Sequence, residues 1–406
     1  MEHFGVLRAP RELVFGAGQR HALGGIARKL GRRALVVTDP RFAADADFSK
    51  MVADLQAHGL EVKVESGTLP DVPVSSALQV ADSVRSFNAD VVVGIGGGSC
   101  LDMAKCLALL LTHGKRPQDY YGENKVPGPV IPVIALPTTA GTGSEVTPVA
   151  VLSDDERVLK VGISSPYLIP HASICDPELT LTCPPGLSAI AGADALTHAI
   201  EALTAISREP TPELSQERVF VGKNALSDHF ALKAISLLWK GLEIACTDGS
   251  NLAARSQVMQ GATFAGLAFG VAGTAAAHAI QYPVGAQTHT AHGAGVACLM
   301  PWVMRWNEPV IQGELQLMAG AMGLADKSQV IPAVADLFNR IGIPPTLAAL
   351  GLTEDRLDWV AEQACGIERL VLNNPRPLKP DTMLALVKAA YFGDTSYLQQ
   401  EEEKIS

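Results

Sequence analysis

"VVVGIGGGSCLDMAK", residues 91–105, decides the fold. A β-branched run long enough for a buried strand ends in three consecutive glycines, and an apolar-periodic stretch follows at once. Strand, glycine loop and helix in that order make a nucleotide-binding unit of a parallel α/β sheet. Gly96, Gly97 and Gly98 carry no Cβ, so a ligand can approach their backbone closely. The amides that open the helix favour an anion such as a pyrophosphate. Ser99, with Asp102 three residues on, reads as a capping box. Asp102 is a poor neighbour for a pyrophosphate, so it orients the loop or Lys105, or faces the nicotinamide end. A plain tight turn is the blander reading of one glycine loop. Three glycines between strand and helix favour the phosphate.

Outward from this unit, the first part of the chain alternates. Residues 34–39, 60–65, 89–98 and 132–139 read as strands, and 72–88 and 99–112 as helices. The first of these strands, "ALVVTD", ends on Asp39. A carboxylate there can accept hydrogen bonds from an adenosine ribose and repel a 2′-phosphate. Before Pro40 it is equally a turn residue. "LPTTAGTGSEVT" (136–147) is a second polar loop after a strand. Its Thr138, Thr139, Thr142, Ser144 and Thr147 hydroxyls suit a ribose or phosphate, or simply a hydroxyl-rich turn.

The texture changes after "LTLTCPPGLS" (179–188), where Pro184 and Pro185 interrupt the chain. Helical patterns then cover 187–206, 224–247, 251–282, 310–323, 328–341, 353–364 and 379–392. An α/β domain over 1–182 and an all-helical domain over 183–406 are expected, with the tail "QQEEEKIS" frayed. A net charge of −10 over 406 residues argues against nucleic acid or an anionic membrane as main partner. Seven scattered cysteines without a C-x-x-C pair, and no apolar leader in "MEHFGVLRAPREL", fit a reduced, cytoplasmic protein.

From Ser256 to Met304 there is no Asp, Glu, Lys or Arg. Pro283, Gln281, Gln287, Thr288 and three histidines interrupt the stretch, and small residues dominate it. A tightly packed core suits it better than a membrane. His278 and His292 lie in it on either side of a Pro–Gly break at 283–285. Upstream, "AGADALTHAIEAL" (191–203) places Asp194 and His198 on one helical face. A buried Asp–His pair can satisfy itself. One carboxylate and three imidazoles converging would instead make a site for iron or zinc.

Four motifs in order, "GIGGGSCLDMAK", "PTTAGTGSEVT", "GADALTHAIEA" and His278 followed by "AHG", resemble the iron-containing, group III alcohol dehydrogenases. "LVFGAG" and "NNPRP" extend the resemblance over about residues 10–395. It implies a nucleotide-binding α/β domain, a helical metal domain and an active site in the cleft between them. It implies NAD(P)-linked interconversion of alcohols with aldehydes or ketones through a metal-polarised oxygen, with Fe2+ as the metal and Zn2+ as its common replacement. By the resemblance Asp194, His198, His278 and His292 are the metal ligands. Gly97, Gly98 and Ser99 form the pyrophosphate loop, and Thr138, Thr139 and Thr142 the second cofactor loop. Asp39 marks NAD preference, and Lys160 and Leu179 are further cofactor contacts. A homodimer or larger homo-oligomer is implied.

Two departures stand out. Where many relatives carry a proton-relaying histidine, four residues after the first histidine of the charge-free stretch, this chain has Tyr282. The relay then falls to Tyr282, to His289 or to water. Residues 207–228 form an insertion, as in the longer members such as hydroxyacid–oxoacid transhydrogenases, and its charges predict a solvent-exposed loop. Competing readings are transhydrogenase-like activity, a dehydroquinate synthase-like reaction, and a metal- and nucleotide-binding protein without catalysis.

Overall fold

The computed structural model describes residues 4–154, 156–157 and 160–399. They form two compact units, one of residues 7–183 with 212–219, the other of 4–6, 184–211 and 220–399.

The first unit is built on β1 (Glu12–Phe15), β2 (Arg33–Val37), β3 (Glu61–Glu65), β4 (Val91–Gly96), β6 (Val133–Pro137) and β9 (Ala172–Cys175). They pair in the order β1-β9-β6-β4-β2-β3, all parallel. Val91, Val92, Val93 and Ile95 are fully buried, because helices cover both faces of the sheet. The glycine-loop helix α1 (Gly98–His113) packs Leu107 and Leu110 into one of the two resulting cores. The chain leaves β2 for β3 on one side, then returns to β4 on the other. The β2/β4 boundary is therefore a topological switch point, and ligands of such sheets bind at the strands' C-terminal ends there. Beside it lies a small sheet of β5 (Gly122–Glu123), β7 (Val149–Ser153) and β8 (Lys160–Ser164), in which β7 and β8 form an antiparallel hairpin. The sequence reading did not identify β1, β9 or this sheet.

The second unit contains α2 (Pro185–Thr204), α3 (Ala225–Thr247), α4 (Leu252–Ala272), α5 (Ala276–Thr288) and α6 (His292–Asn307). Further helices include Gln312–Met322, Val330–Arg340, Leu357–Cys365 and Pro380–Phe392. Most of the charge-free stretch is buried, its exposed residues being confined to the turn around His289. Two expectations are corrected here. Residues 251–282 are not one helix: α4 and α5 meet at a 102° bend. Gly273 turns the chain there at φ +83, and the Asn373 side chain donates to the Ala272 and Thr274 carbonyls. Nor is there a break at 283–285, since α5 runs through Pro283. The helix over 292–307 is a further addition. Among the described residues no single helix is long and apolar enough to cross a membrane, and the one pair that passes together is the bent α4–α5 pair.

The insertion is not simply a solvated loop. Its middle, 212–219, belongs to the α/β unit, where Val219 donates to Glu123 Oε2 at 2.8 Å and Asn124 Nδ2 donates to the Glu217 carbonyl. Arg8 donates to the Ser215, Val219 and Arg218 carbonyls. Val219, Phe220 and Val221 are buried. Apolar residues near its end outweigh the charges on which the loop reading rested. Apart from Gln399, the expected frayed tail lies outside the described residues.

Candidate active site

At the switch point, Asp39 follows β2 and the three glycines close β4. The helix cap differs from expectation. Gly97 is the N-cap of α1, and no side chain caps it. Cys100 and Leu101 donate to the Gly97 carbonyl, so the orphan first-turn amides are those of Gly98 and Ser99. The Ser99 hydroxyl instead accepts from the Asp71 amide at 3.1 Å. Asp102 accepts from Ser144 Oγ at 2.6 Å and from the Val151 amide at 3.1 Å. It therefore ties the second polar loop and β7 to α1.

Gly96 and Gly98 leave no room for a side chain, whereas Gly97 does. A Cβ on Gly98 would lie 2.6 Å from Thr142 Cγ2, and one on Gly97 would lie 3.5 Å from Thr139 Oγ1. Gly96 has φ +152, and its Cβ would meet Cys100 Sγ at 2.5 Å. The two polar loops thus lie face to face. Thr138 and Thr147 are buried beneath them. Lys105 is fully buried and donates to the Thr147 and Val149 carbonyls at 2.9 and 2.8 Å. Burial lowers its pKa to about 8, against the pull of Asp102 and Glu145. Burial also raises the Asp102 pKa, opposed by Lys105 and Ser144.

Asp39 uses Oδ1 to accept from the Phe42 amide at 2.8 Å, and Oδ2 lies 3.6 Å from Cys100 Sγ. Burial, then Asp39, pushes the Cys100 thiol up to about 12, which keeps it neutral. Lys160 opens β8 and pairs with Asp71 at 2.6 Å. Leu179 is buried in the core beneath the sheet's end, so its side chain is a packing element.

In the helical unit, α2 presents Asp194, His198 and Glu201 from one buried face at spacings of four and three. His278 is the third residue of α5, in its first turn just beyond the bend, and His292 is the first residue of α6. Donor atoms of Asp194, His278 and His292 all lie within 4.8 Å of one another. His198 Nε2 is 3.0 Å from His278 Nε2 and 3.8 Å from Asp194 Oδ1, and His278 Nε2 is 3.9 Å from Asp194 Oδ1. Two donors on one ion at about 2.1 Å can be at most about 4.2 Å apart. Those three separations meet that limit, so Asp194, His198 and His278 fit a single divalent ion, and His292 joins Asp194 and His278 within 4.8 Å.

Small residues bring these helices together. A Cβ on Gly293 would lie 2.5 Å from the Ile190 carbonyl oxygen and 3.1 Å from Asp194 Cβ. Phe269 stacks on the His198 ring with centroids 4.1 Å apart. Glu201 is 1% exposed and accepts three hydrogen bonds, from the Ala275 amide (2.9 Å), the Ala277 amide (2.8 Å) and His278 Nδ1 (2.6 Å). It therefore fixes the proton on Nδ1 and turns the Nε2 lone pair toward the other donors. Burial pushes the His278 ring toward neutrality, but Glu201 and then Asp194 outweigh it, and its pKa is raised. The sequence reading missed Glu201. Its signal was a second carboxylate, seven residues after Asp194, on the face that Asp194 and His198 share.

Tyr282 lies one turn beyond His278, with its ring 6.0 Å from that of His292. His289 is different. It is the exposed C-cap of α5 in the left-handed region, φ 54.

The description "Iron-containing alcohol dehydrogenase" belongs to the family model matching residues 10–177, and "Fe-containing alcohol dehydrogenase family, C-terminal" to that matching 188–391. The chain is 34% identical to long-chain-alcohol dehydrogenase 1 of Geobacillus thermodenitrificans, over 90% of this chain and 91% of that one. Among solved structures it resembles a 1,3-propanediol oxidoreductase, with a TM-score of 0.88 and 31% identity over 96% of this chain and 100% of that one. It also resembles the sulfoacetaldehyde reductase of Bifidobacterium kashiwanohense in complex with NAD+, with a TM-score of 0.84 and 28% identity over the same shares.

Proposed function

Because the chain belongs to the iron-containing alcohol dehydrogenase family and is an oxidoreductase acting on alcohols, we propose how its residues divide that work. Asp194, His198, His278 and His292 hold a divalent iron, with zinc able to replace it. The amides of Gly98 and Ser99 hold the NAD pyrophosphate. Thr139 and Thr142 line the opposing cofactor loop, Lys160 makes a further cofactor contact, and Asp39 selects against a 2′-phosphate. Asp102, Thr138 and Thr147 support these loops from beneath. The observation that carries the reading is the convergence of one carboxylate and the imidazoles in a buried helical core, with Glu201 setting the His278 tautomer.

When bound, the metal supplies Lewis acidity that lowers a hydroxyl pKa and polarises a carbonyl, and the dinucleotide accepts or returns the hydride. The chain's own contributions are more specific. The three histidines must present an unprotonated ligating nitrogen, and for His278 the Glu201 hydrogen bond holds the ring proton on Nδ1 and so leaves Nε2 for the metal. Phe269, stacked on the His198 ring, shields that ligand from water. Tyr282, beside His292, is the proton-relay candidate that the geometry favours. Its hydroxyl can pass a proton as both donor and acceptor. His289, exposed at the left-handed end of α5, serves as a helix terminator.

The boundary near residue 182 separates the cofactor work from the metal work. A cytoplasmic homodimer, or larger homo-oligomer, with small alcohols or aldehydes as substrates completes the reading. The comparisons favour it over the transhydrogenase-like, dehydroquinate synthase-like and non-catalytic alternatives. The test is NADH formation from a panel of primary alcohols and diols by protein loaded anaerobically with Fe2+, beside His278→Ala. Activity in the parent that the variant loses is the expected result. Tight NAD and metal binding with no turnover of any alcohol or aldehyde would overturn it.

A further inference from the structure

The loop before Pro73 holds two successive non-glycine residues in the left-handed region, Asp71 at φ 61 and Val72 at φ 48. Asparagine and aspartate tolerate that region, but a β-branched residue does not without cause. Val72 is nevertheless fully buried, and its carbonyl accepts from the Ser153 amide at 3.1 Å. Strain that persists under such packing clusters at ligand clamps. What it achieves here is the position of Asp71. The Asp71 amide donates to Ser99 Oγ in the first turn of α1, and its carboxylate accepts from Lys160 Nζ at 2.6 Å. Lys160 stands opposite Ser153 in the β7–β8 register, so the same loop grips both strands of the hairpin. One residue thus staples the glycine loop to the hairpin end that carries Lys160.

We propose that Asp71 is a positioning residue for the dinucleotide: it fixes the Lys160 ammonium at a set distance from the glycine loop before the cofactor arrives. The inference rests on the reading of Lys160 and the glycine loop as cofactor contacts. An unrestrained lysine has four rotatable carbons to order on binding, and a paired one has already lost that freedom. The Asp71 side chain remains 55% exposed and Lys160 25%. The pair occupies only one of the ammonium's three donors, so the others remain for a ligand.

Charge alone makes the opposite prediction. Removing a carboxylate from beside an anion-binding loop should tighten the binding of a dinucleotide. The sign of the effect therefore decides. NADH binding is measured by nicotinamide fluorescence on the iron-loaded protein for Asp71→Asn, which keeps the left-handed preference, and for Asp71→Gly, which relieves it. Both are expected to weaken binding roughly three- to fivefold, the scale of a half-exposed ion pair. KM for NAD+ should rise in parallel, with kcat and KM for the alcohol unchanged. Lys160→Ala should weaken binding at least as much, and adding Asp71→Asn to it should weaken it no further. Unchanged or tighter binding in both Asp71 variants, with Lys160→Ala weakened, would overturn the staple and leave the cofactor reading standing. Unchanged binding in Lys160→Ala would remove Lys160 from the cofactor site and the role of Asp71 with it.

Discussion

Replacing Glu201 probes the metal cluster from behind. The carboxylate accepts three hydrogen bonds in a fully buried setting, two of them on Oε2 (the Ala275 amide and His278 Nδ1) and one on Oε1 (the Ala277 amide). In Glu201→Gln, the lower-energy amide orientation places the remaining oxygen at the Oε2 position. The His278 bond then survives but loses its charge assistance, which is about half its strength. The Ala277 amide faces an NH2 group, and one such buried clash costs about 1–3 kcal/mol of folding stability. Glu201→Ala strands all three donors, and about 3–5 kcal/mol is the scale for removing one partner of a buried pair. It also releases the His278 tautomer. Loss of such a supporting carboxylate typically costs about 10–100-fold in metal affinity, or about 1.4–2.7 kcal/mol. Glutamine should lie near the lower end of that range and alanine near the upper. Titration of metal-free protein with Zn2+ or Co2+ against a chromophoric chelator reads the affinity, and thermal denaturation of the same samples reads the fold. If Glu201→Ala binds metal within twofold of the parent while its melting temperature falls, Glu201 is only a cap for the bend before α5, and the tautomer argument is wrong.

Three further outcomes follow from other contacts. Lys105 has its pKa lowered from 10.5 to about 8 in the folded protein. Between about pH 8 and 10.5 the unfolded chain therefore holds a proton that the folded one lacks, and stability rises with pH across that window. Relative to Lys105→Met, the parent should gain at most about 3 kcal/mol over the window in denaturant melts, and a flat difference would refute the assignment. Asp39→Ala should admit NADP+ but cost about 1 kcal/mol through loss of the Phe42 amide bond, whereas Asp39→Asn should keep the cap and still weaken discrimination. KM ratios for the two cofactors, with melting curves, check both halves. Gly293→Ala places a Cβ 2.5 Å from a backbone oxygen of α2, so α6 must move away from Asp194. Weaker metal binding with a lower melting temperature is expected, and parental metal affinity would show that the helices have room to part.

What the sequence made legible was whatever one stretch of chain encodes by itself. The glycine loop announces its strand, turn and helix within fifteen residues, and Asp194 with His198 needs only the 3.6-residue period to share a face. Glu201 was as legible by the same arithmetic, since a lone carboxylate at that spacing must find a buried partner. The errors arose where a distant partner decides. Pro283 looked like a break, but losing one amide bond in the interior of α5 is tolerated inside a packed core. The true bend lies ten residues earlier, where Gly273 turns the backbone and Asn373, a hundred residues away, satisfies the carbonyls it exposes. No local pattern around residue 273 contains Asn373. The same holds for Asp71. Its neighbours in sequence suggest only a turn, and its significance comes from Ser99 and Lys160, which the fold brings to it from opposite directions. The capping box failed because α1 begins at Gly98, which puts Ser99 inside the first turn, where its hydroxyl accepts from the Asp71 amide. Residues that chelate or cradle a ligand can thus be read from local spacing, whereas those that hold such residues in place are defined by contacts between elements, and only the fold reveals them.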